Sequence, residues 1–389
     1  MYKVRTYNQI SAKGLDRFPR DNYEIASEFT APDAFMLRSQ KLHDMDVPES
    51  VLAAARCGAG VNNIPVDRFS EQGIVVFNTP GANANAVKEL VIAGMLLASR
   101  DIVGGMNYSQ SLTHLDDAGV MSKEVEAAKK NYAGSEISGK TLGVVGLGAI
   151  GSIIANTALE LGMNVVGFDP AISIEAAWSL SSRVERMENL QALLSRCDFI
   201  TLHVPAIEAT HHLINPEMLR CCKPNAVLLN FAREQIVDEE AVIEALDNGQ
   251  LGKYVADFPS PNVLGRDDIL LLPHLGASTA EAEENCAVMA AEQLMDFLEN
   301  GNILNSVNFP KTRMGRNGGY RITFCNSNVS GVLGQVLSIL ADNELNVIDM
   351  VNKSRGDIAY SIIDVEQQPS EAVIAAIGGI DSVVRVRAL

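Results

Sequence analysis

A glycine-rich turn between two apolar segments constrains the fold of this chain more than any other feature. Residues 140–145 form a short apolar run that predicts a buried parallel strand, and this run continues into Gly146-Leu147-Gly148-Ala149-Ile150-Gly151. Apolar residues then repeat at helical spacing, and residues 164–168 predict a second strand that ends at Asp169. Strand, G-x-G-x-x-G turn, helix, strand and terminal acid together indicate a Rossmann-like dinucleotide-binding unit.

The residue types in this unit each have a physical role toward a dinucleotide. Gly146 permits the tight turn, Gly148 lets the backbone approach the pyrophosphate, and Gly151 lets helix and strand pack closely. The helix N-terminus offers free N–H groups to the phosphates. Asp169 can accept hydrogen bonds from the adenosine ribose and would repel a 2′-phosphate, so the sequence predicts NAD rather than NADP as the cofactor.

Further apolar segments alternate with helical patterns as far as residue 278 and predict a doubly wound parallel sheet. Ligands of such sheets lie beyond the carboxyl ends of the strands. We therefore expect a single crevice around the residues at those ends, which are Gly146, Asp169, Val204, Pro205, Arg233, Asp257 and His274.

The segments before and after this domain together predict a second α/β domain. Residues 1–92 carry strand and helix signals of their own, and two long helical patterns, 85–99 and about 278–299, are long enough to cross between domains. The sequence therefore predicts two Rossmann-like domains with a cleft and a hinge between them. The substrate domain combines residues 1–92 with 279–309, and the NAD-binding domain comprises residues 93–278.

The C-terminal part has a different pattern. Residues 320–389 read as β-α-β-β-α-β, the order of a small ferredoxin-like unit. Residues 310–319 are polar and glycine-rich and predict a linker.

Composition excludes several classes of partner. The chain has 31 Lys and Arg against 48 Asp and Glu, a net charge of −17, which disfavours nucleic acid and anionic membranes. No run of about 18 apolar residues predicts a membrane span, and no signal peptide is recognisable. The six cysteines are scattered without metal-ligand spacing, which indicates reduced thiols in a cytoplasmic protein with no metal site.

From about residue 34 to residue 389 the chain resembles the D-isomer-specific 2-hydroxyacid dehydrogenases. The motifs that carry the resemblance occur in the family's order at residues 56–63, 78–81, 146–151, 229–239 and 273–279. The tail, with Gly331-Val332-Leu333-Gly334, resembles the amino-acid-binding ACT domain. The resemblance implies NAD-dependent oxidation of a small anionic 2-hydroxy acid.

Two side chains are the candidates for the chemistry. An imidazole has a pKa near working pH, so His274 is suited to accept the substrate hydroxyl proton. A guanidinium can bind the substrate carboxylate through two hydrogen bonds, and Arg233 follows a strand end. The alternatives are a structural histidine and a surface ion pair of Arg233 with Glu234 or Asp238.

One part of the family pattern is missing. The family has a glutamate that orients the histidine a few residues after the strand-end aspartate, but residues 257–262 contain none. Asp267 or Asp268 is a candidate replacement because each lies close to His274 in sequence. The resemblance assigns Asp257 itself to the nicotinamide carboxamide.

The resemblance also implies the remaining contacts. Substrate-binding positions are Arg38, Ser39, Arg56, Gly58 and Asn78. Cofactor-binding positions are Thr79, Gly146, Gly148, Ala149, Ile150, Gly151, Asp169, Val204, Pro205, Phe231, Ala232, Asp257, Gly276 and Ala277. In the tail, Asn328 and Asn346 occupy the positions at which the family's regulatory domain binds serine. A purely structural dimerisation unit is the alternative for the tail, and a homodimer or homotetramer is expected.

Together, the motifs and the ACT-like tail imply oxidation of 3-phospho-D-glycerate to 3-phosphohydroxypyruvate, the first step of phosphorylated serine biosynthesis. Two alternatives remain. One is a D-2-hydroxyacid dehydrogenase for glycerate or hydroxypyruvate. The other is a catalytically weak regulator that senses NAD or an amino acid.

Overall fold

The computed structural model describes all 389 residues and contains three β-sheets. Residues 1–83 and 280–389 form one compact unit, here the first unit, and residues 84–279 form the second unit. The five strands of the N-terminal sheet are β1 (Tyr2–Tyr7), β2 (Tyr23–Ala26), β3 (Ala34–Leu37), β4 (Ala53–Arg56) and β5 (Val75–Phe77). The seven strands of the central sheet are β6 (Thr141–Val145), β7 (Asn164–Phe168), β8 (Glu185–Arg186), β9 (Phe199–Leu202), β10 (Ala226–Asn230), β11 (Leu251–Ala256) and β12 (Ile269–Leu271).

The C-terminal sheet is antiparallel, and its four strands are β13 (Tyr320–Ser327), β14 (Val347–Arg355), β15 (Ile358–Val365) and β16 (Val383–Ala388). The thirteen helices are α1 (Ala12–Leu15), α2 (Val66–Glu71), α3 (Ala84–Ser99), α4 (Ile102–Ser111), α5 (Ala118–Ala128), α6 (Ala149–Glu160), α7 (Ile174–Ser179), α8 (Leu190–Leu194), α9 (Pro216–Arg220), α10 (Glu239–Asp247), α11 (Ala280–Asn300), α12 (Val332–Asp342) and α13 (Glu371–Gly378). Short 3-10 turns occupy Leu112–His114, Lys129–Tyr132, Glu208–Thr210 and Glu234–Ile236.

The two larger sheets are entirely parallel, and each has one topological switch point. The central sheet has the order β12-β11-β10-β9-β6-β7-β8, so the strand order reverses between β6 and β9. The N-terminal sheet has the order β2-β1-β3-β4-β5 and reverses between β1 and β3. Ligands of open α/β sheets bind beyond the carboxyl ends of the strands at such points. The predicted α/β fold with Rossmann-like parallel sheets is confirmed.

The C-terminal sheet has the order β14-β15-β13-β16, which is the order of a ferredoxin-like βαββαβ unit. Its helices α12 and α13 cover one face around an apolar core that includes Ile322, Val336 and Ile377. The other face contributes Cys325, Tyr360 and Ile362 to the core of the N-terminal sheet, so the two sheets share buried apolar surface.

A buried ion pair fixes the start of this C-terminal sheet. Arg321 and Asp364 have side chains that are 0% and 1% exposed, and two N–H···O bonds of 2.7 and 2.8 Å join them. The three remaining guanidinium protons are donated to the carbonyl oxygens of Asn300, Met314 and Gly315. All five donors of Arg321 are therefore satisfied, as burial of a charge requires.

Arginines of the C-terminal part also donate hydrogen bonds to the last carbonyls of helix α11. The last four carbonyls of a helix have no partner within it. Arg387 donates to the carbonyls of Phe297 and Leu298, Arg316 to that of Glu299, and Arg321 to that of Asn300. The C-terminal sheet is thereby bonded to the helix that packs under the N-terminal sheet.

The segment predicted as a linker is partly embedded in the first unit. Thr312 exchanges backbone hydrogen bonds with Ile303, and Met314 is buried in the core shared with the N-terminal sheet. Polar and glycine-rich composition does not reveal this, because the partners lie elsewhere in the chain. The functional domain boundaries stay predictions. No helix has the length and hydropathy needed to span a bilayer.

Candidate active site

The glycines of the fingerprint have different surroundings at the carboxyl end of β6. Gly146 has φ +89°, and a Cβ there would lie 2.5 Å from the His203 carbonyl oxygen. A Cβ on Gly151 would lie 1.9 Å from the Gly146 carbonyl oxygen. Both residues are therefore glycine because the turn and the helix approach the strands too closely for a side chain.

Gly148 has the opposite environment, because a Cβ built on it meets no atom within 4 Å. It immediately precedes helix α6, whose first N–H groups have no partner within the helix. Packing therefore does not explain the glycine at this position. The open space beside it and the helix N-terminus fit a pyrophosphate that approaches the backbone closely. The residues present therefore fit a dinucleotide.

Asp169 joins the glycine-rich turn to the end of β7. Its Oδ2 accepts the Leu147 N–H and its Oδ1 accepts the Ala171 N–H, both at 2.8 Å. Each carboxylate oxygen has a second lone pair, so the two oxygens can also accept hydrogen bonds from ribose hydroxyls. The residue thus shapes the turn in addition to its predicted role toward the cofactor.

His274 lies in a loop that a buried carboxylate holds. Asp257 is 1% exposed, and its two oxygens accept the N–H groups of Leu275 and Gly276, each at 2.7 Å. His274 has a left-handed backbone conformation with φ +58° and makes an edge contact with the ring of Phe258 at 5.1 Å between centroids. The Asp257 carboxylate thus fixes the loop on which the exposed imidazole is carried.

Neither acid proposed as a partner of His274 bonds to it. Asp268 accepts two hydrogen bonds from Arg266, of 2.9 and 2.8 Å, and the guanidinium lowers the pKa of this carboxyl group. Arg266 also pairs with Asp247. Asp267 is exposed, and no carboxylate forms a salt bridge with His274. Proximity in sequence was misleading because the intervening strand β12 separates these acids from the loop.

Arg233 follows β10 and is exposed without an acidic partner. Its Nη1 donates to the Ala232 carbonyl at 2.6 Å, and no ion pair with Glu234 or Asp238 forms. The buried Asn230 shapes this loop, since its Nδ2 donates to the Arg233 carbonyl at 2.9 Å and its Oδ1 accepts the Ala232 N–H. The guanidinium is therefore available to an anion.

Asn230 was not assigned a role from the sequence. The signal that could have identified it is a lone amide side chain at the end of an otherwise apolar strand, since such a residue needs local partners when it is buried. Its position three residues before the candidate arginine strengthens that signal.

The other predicted cofactor positions differ in exposure. Phe231 is buried, and its ring packs against helix α3, where a Cβ on Gly94 would lie 3.1 Å from it. Gly276 is buried beside the Asp257 carboxylate. The more accessible positions follow strand ends or begin helix α6, and they are Ala149, Ile150, Val204, Pro205, Ala232 and Ala277. Thr79 belongs to the first unit and is fully buried.

The predicted substrate residues lie together at the carboxyl ends of β3, β4 and β5. Arg38 forms an ion pair of 2.5 Å with Glu283 of α11, and Arg56 Nε donates to the Arg38 carbonyl at 3.1 Å. A Cβ on Gly58 would lie 2.7 Å from Nη1 of Arg56, so only glycine leaves this guanidinium in place. Asn78 donates to the Ala59 carbonyl at 2.6 Å. Ser39 is exposed beside Arg38.

The two predicted effector residues are not brought together within one chain. Asn328 directly follows β13, and its side chain donates to the Gly356 carbonyl in the β14–β15 turn. Asn346 directly precedes β14, whose first residue aligns through β15 with the start of β13. They therefore lie at opposite ends of the C-terminal sheet, and one small molecule cannot contact both in the same copy.

Residues 106–276 match the family model described as "D-isomer specific 2-hydroxyacid dehydrogenase, NAD binding domain". The chain is 31% identical over 359 residues to the D-3-phosphoglycerate dehydrogenase of Escherichia coli K12, covering 89% of this chain and 83% of that protein. The chain therefore belongs to the D-isomer specific 2-hydroxyacid dehydrogenase family and contains its NAD-binding domain.

The relatives within this family share one name. D-3-phosphoglycerate dehydrogenase of Methanocaldococcus jannaschii is 33% identical over 354 residues, or 88% of this chain, and that of Synechocystis is 38% identical over 333 residues, or 80% of this chain. The chain spans only 63% and 56% of the lengths of these two relatives.

Solved structures agree on the fold. The TT0316 protein of Thermus thermophilus superposes with a TM-score of 0.62 at 27% identity, covering 78% of this chain and 99% of that one. NAD⁺-bound 3-phosphoglycerate dehydrogenase of Entamoeba histolytica superposes with a TM-score of 0.61 at 24% identity, covering 79% of this chain and 98% of that one.

Proposed function

We propose that the protein oxidises 3-phospho-D-glycerate to 3-phosphohydroxypyruvate with NAD, the first step of the phosphorylated route to serine. The positions of Arg233 and His274 support hydroxy-acid oxidation as the reaction class. Both residues follow strands of the sheet that bears the dinucleotide fingerprint, and both are exposed and without acidic partners. The shared name of the relatives supports the choice of substrate.

The proposed reaction removes a hydride and a proton from the hydroxy acid. The C2–H bond of the hydroxy acid breaks with its electron pair, the O–H bond loses a proton, and a C=O bond forms. NAD, when bound, accepts the hydride. The imidazole of His274 accepts the hydroxyl proton, while the guanidinium of Arg233 holds the carboxylate and stabilises negative charge on the reacting oxygen.

The first unit supplies the cations that a phosphorylated acid requires. Arg38 and Arg56 are neighbours within a chain of net charge −17, and such a local concentration of positive charge attracts an anion. Glu283 pairs with Arg38, so a bound phosphate competes with this carboxylate. We assign Ser39, Gly58 and Asn78 to the same substrate site.

A steady-state assay of NADH absorbance tests the proposal with 3-phosphoglycerate, glycerate, lactate and other 2-hydroxy acids. We expect turnover with 3-phosphoglycerate, and its loss in Arg233→Ala and His274→Ala while NAD binding is retained. Arg220→Ala removes another exposed arginine of the second unit and serves as the matched control. Turnover only with unphosphorylated acids would instead support a different D-2-hydroxyacid dehydrogenase.

One observation favours a second candidate, a catalytically weak sensor of NAD or an amino acid. No carboxylate orients His274, and such a partner normally raises the basicity of the imidazole. A sensor binds NAD in calorimetry but gives no turnover with any acid of the panel. Turnover in the wild type would eliminate this candidate.

We further propose that residues 320–389 form an ACT-type regulatory domain, that serine is its effector and that the protein is a cytoplasmic homodimer or homotetramer. The ferredoxin-like strand order and the exposed edge strand β14 support this proposal. Two copies paired antiparallel through β14 would bring opposite ends of their sheets together, which a shared site for Asn328 and Asn346 requires. Inhibition by serine and light scattering test these points.

A further inference from the structure

A single exposed asparagine holds the backbone of the substrate loop. Asn8 directly follows β1 at the switch point of the N-terminal sheet and has a left-handed conformation with φ +65°. Its Oδ1 accepts three consecutive backbone N–H groups, those of Arg38 at 3.4 Å, Ser39 at 3.0 Å and Gln40 at 2.8 Å. The loop that carries two candidate substrate residues is thus organised around one oxygen atom.

The carbonyl groups of the same loop are held from the other side. Asn63 is buried, and its Nδ2 donates to the carbonyls of Arg38 at 3.1 Å and Gln40 at 2.7 Å. Arg56 Nε also donates to the Arg38 carbonyl. Both polar groups of the Arg38 backbone are therefore fixed, and the start of its side chain has a defined direction.

The convergence of three N–H groups has a consequence for how an anion is bound. Successive amides that point at one place form a nest suited to a phosphate or carboxylate oxygen. Here Asn8 already occupies that nest, so these amides are not available to substrate. The loop must instead contribute through the side chains of Arg38 and Ser39, and the guanidinium of Arg38 is also anchored by Glu283.

We propose that Asn8 is a positioning residue for substrate: by filling the nest of residues 38–40, it presents the Arg38 guanidinium to the anionic group of the hydroxy acid. This inference rests on the proposed function. It concerns substrate affinity and not the reacting atoms, because Asn8 touches only the loop backbone.

The test separates the acceptor oxygen from the backbone conformation. Asn8→Gly removes the acceptor but keeps a residue that adopts φ +65° without strain. Asn8→Asp keeps both the acceptor and tolerance of this conformation. We expect Asn8→Gly to raise KM for 3-phosphoglycerate about tenfold, with kcat within about twofold and KM for NAD unchanged, which corresponds to about 1.4 kcal/mol of substrate binding.

Two further measurements make the result decisive. Amide hydrogen exchange of residues 38–40 should accelerate in Asn8→Gly and return to wild-type rates in Asn8→Asp, and Asn8→Asp should recover at least half of the loss in KM on a logarithmic scale. Asn225→Gly is the matched control, because Asn225 also has a left-handed conformation, with φ +62°, but precedes the amino end of β10.

Failure of this inference can be distinguished from failure of the proposed function. Absence of wild-type turnover would refute the function, and calorimetric binding of 3-phosphoglycerate then tests the role of Asn8 without catalysis. Equal KM and equal dissociation constants for wild type and Asn8→Gly would overturn the inference, as would an Asn8→Asp variant that behaves like Asn8→Gly.

Discussion

Asp169 has a structural role in the glycine-rich turn and a predicted role toward the cofactor. Both of its oxygens accept backbone N–H groups, which fixes the turn between β6 and α6 against the end of β7. The same negative charge disfavours a ribose that carries a 2′-phosphate. We therefore expect discrimination between NAD and NADP to depend on the same carboxylate that shapes the glycine-rich turn.

Asp169→Asn removes this charge and keeps one acceptor oxygen. We expect the ratio of kcat/KM for NADP to that for NAD to rise about tenfold or more, because repulsion of the 2′-phosphate is lost. Asp169→Ala should narrow the gap as well, at a greater cost to binding of both cofactors. Asp116→Asn, which changes an exposed aspartate of the same unit outside the candidate site, is the control. Unchanged discrimination in Asp169→Asn would contradict the assignment.

For individual residues, the sequence predicts a role where that role follows from a local pattern. Gly146, Arg233 and His274 follow strand ends that hydrophobic runs reveal, and Gly148 and Gly151 belong to the same G-x-G-x-x-G motif as Gly146. Asn8 also follows a strand, but its role is not readable from the sequence, because its three hydrogen-bond partners lie about 30 residues away and nothing near Asn8 in sequence indicates them. The role of Asp257 toward the cofactor stays a prediction, and its hydrogen bonds to a loop 18 and 19 residues further on were not expected from the sequence.

Many of the elements predicted from the sequence are strongly buried. Strands such as β10, buried along its whole length, and long helices such as α3 and α11 carry clear apolar patterns. Helices α4 and α5 were not predicted, and neither contains a buried residue that would produce an apolar stripe.

The ion pair between β13 and β15 gives a prediction about these elements. Arg321→Met leaves the Asp364 carboxylate buried without its partner, which typically costs about 3–5 kcal/mol. We expect a large decrease in the urea midpoint of the first unit. Arg316→Met, which removes a more exposed arginine from the same helix end, should cost about 1 kcal/mol.

The double variant Arg321→Met/Asp364→Leu completes the comparison. It removes both charges, so it should be more stable than Arg321→Met alone. A single variant no less stable than Arg316→Met would show that the buried pair does not stabilise the sheet.

At the scale of the whole molecule, the C-terminal sheet is part of the first unit rather than an appendage to it. Cys325, Tyr360 and Ile362 share a core with the N-terminal sheet, and Phe309 packs against Tyr360 at 6.2 Å between ring centroids. The β-α-β-β-α-β order is readable from the sequence. Its attachment is not, because that depends on arginine-to-carbonyl bonds between distant residues.

Truncation after Phe309 tests this attachment. We expect residues 1–309 to melt several degrees lower than the full chain and to aggregate more readily, since Phe297 and Phe309 lose their cover. Arg385→Ala/Arg387→Ala, which keeps the sheet but removes its bonds to backbone carbonyls, should have an intermediate effect. Equal melting temperatures for the truncated and full chains would mean that the C-terminal sheet folds independently.

Helix α11 connects the C-terminal sheet to Arg38, a candidate substrate residue. Its 21 residues extend about 30 Å. Near its first residue, Glu283 forms an ion pair with Arg38, and its last carbonyls accept hydrogen bonds from arginines of the C-terminal sheet. A helix that is bonded at both ends moves as one body, so a displacement at one end reaches the other. We expect a tilt of that sheet to shift α11 and, through Glu283, to move the Arg38 guanidinium.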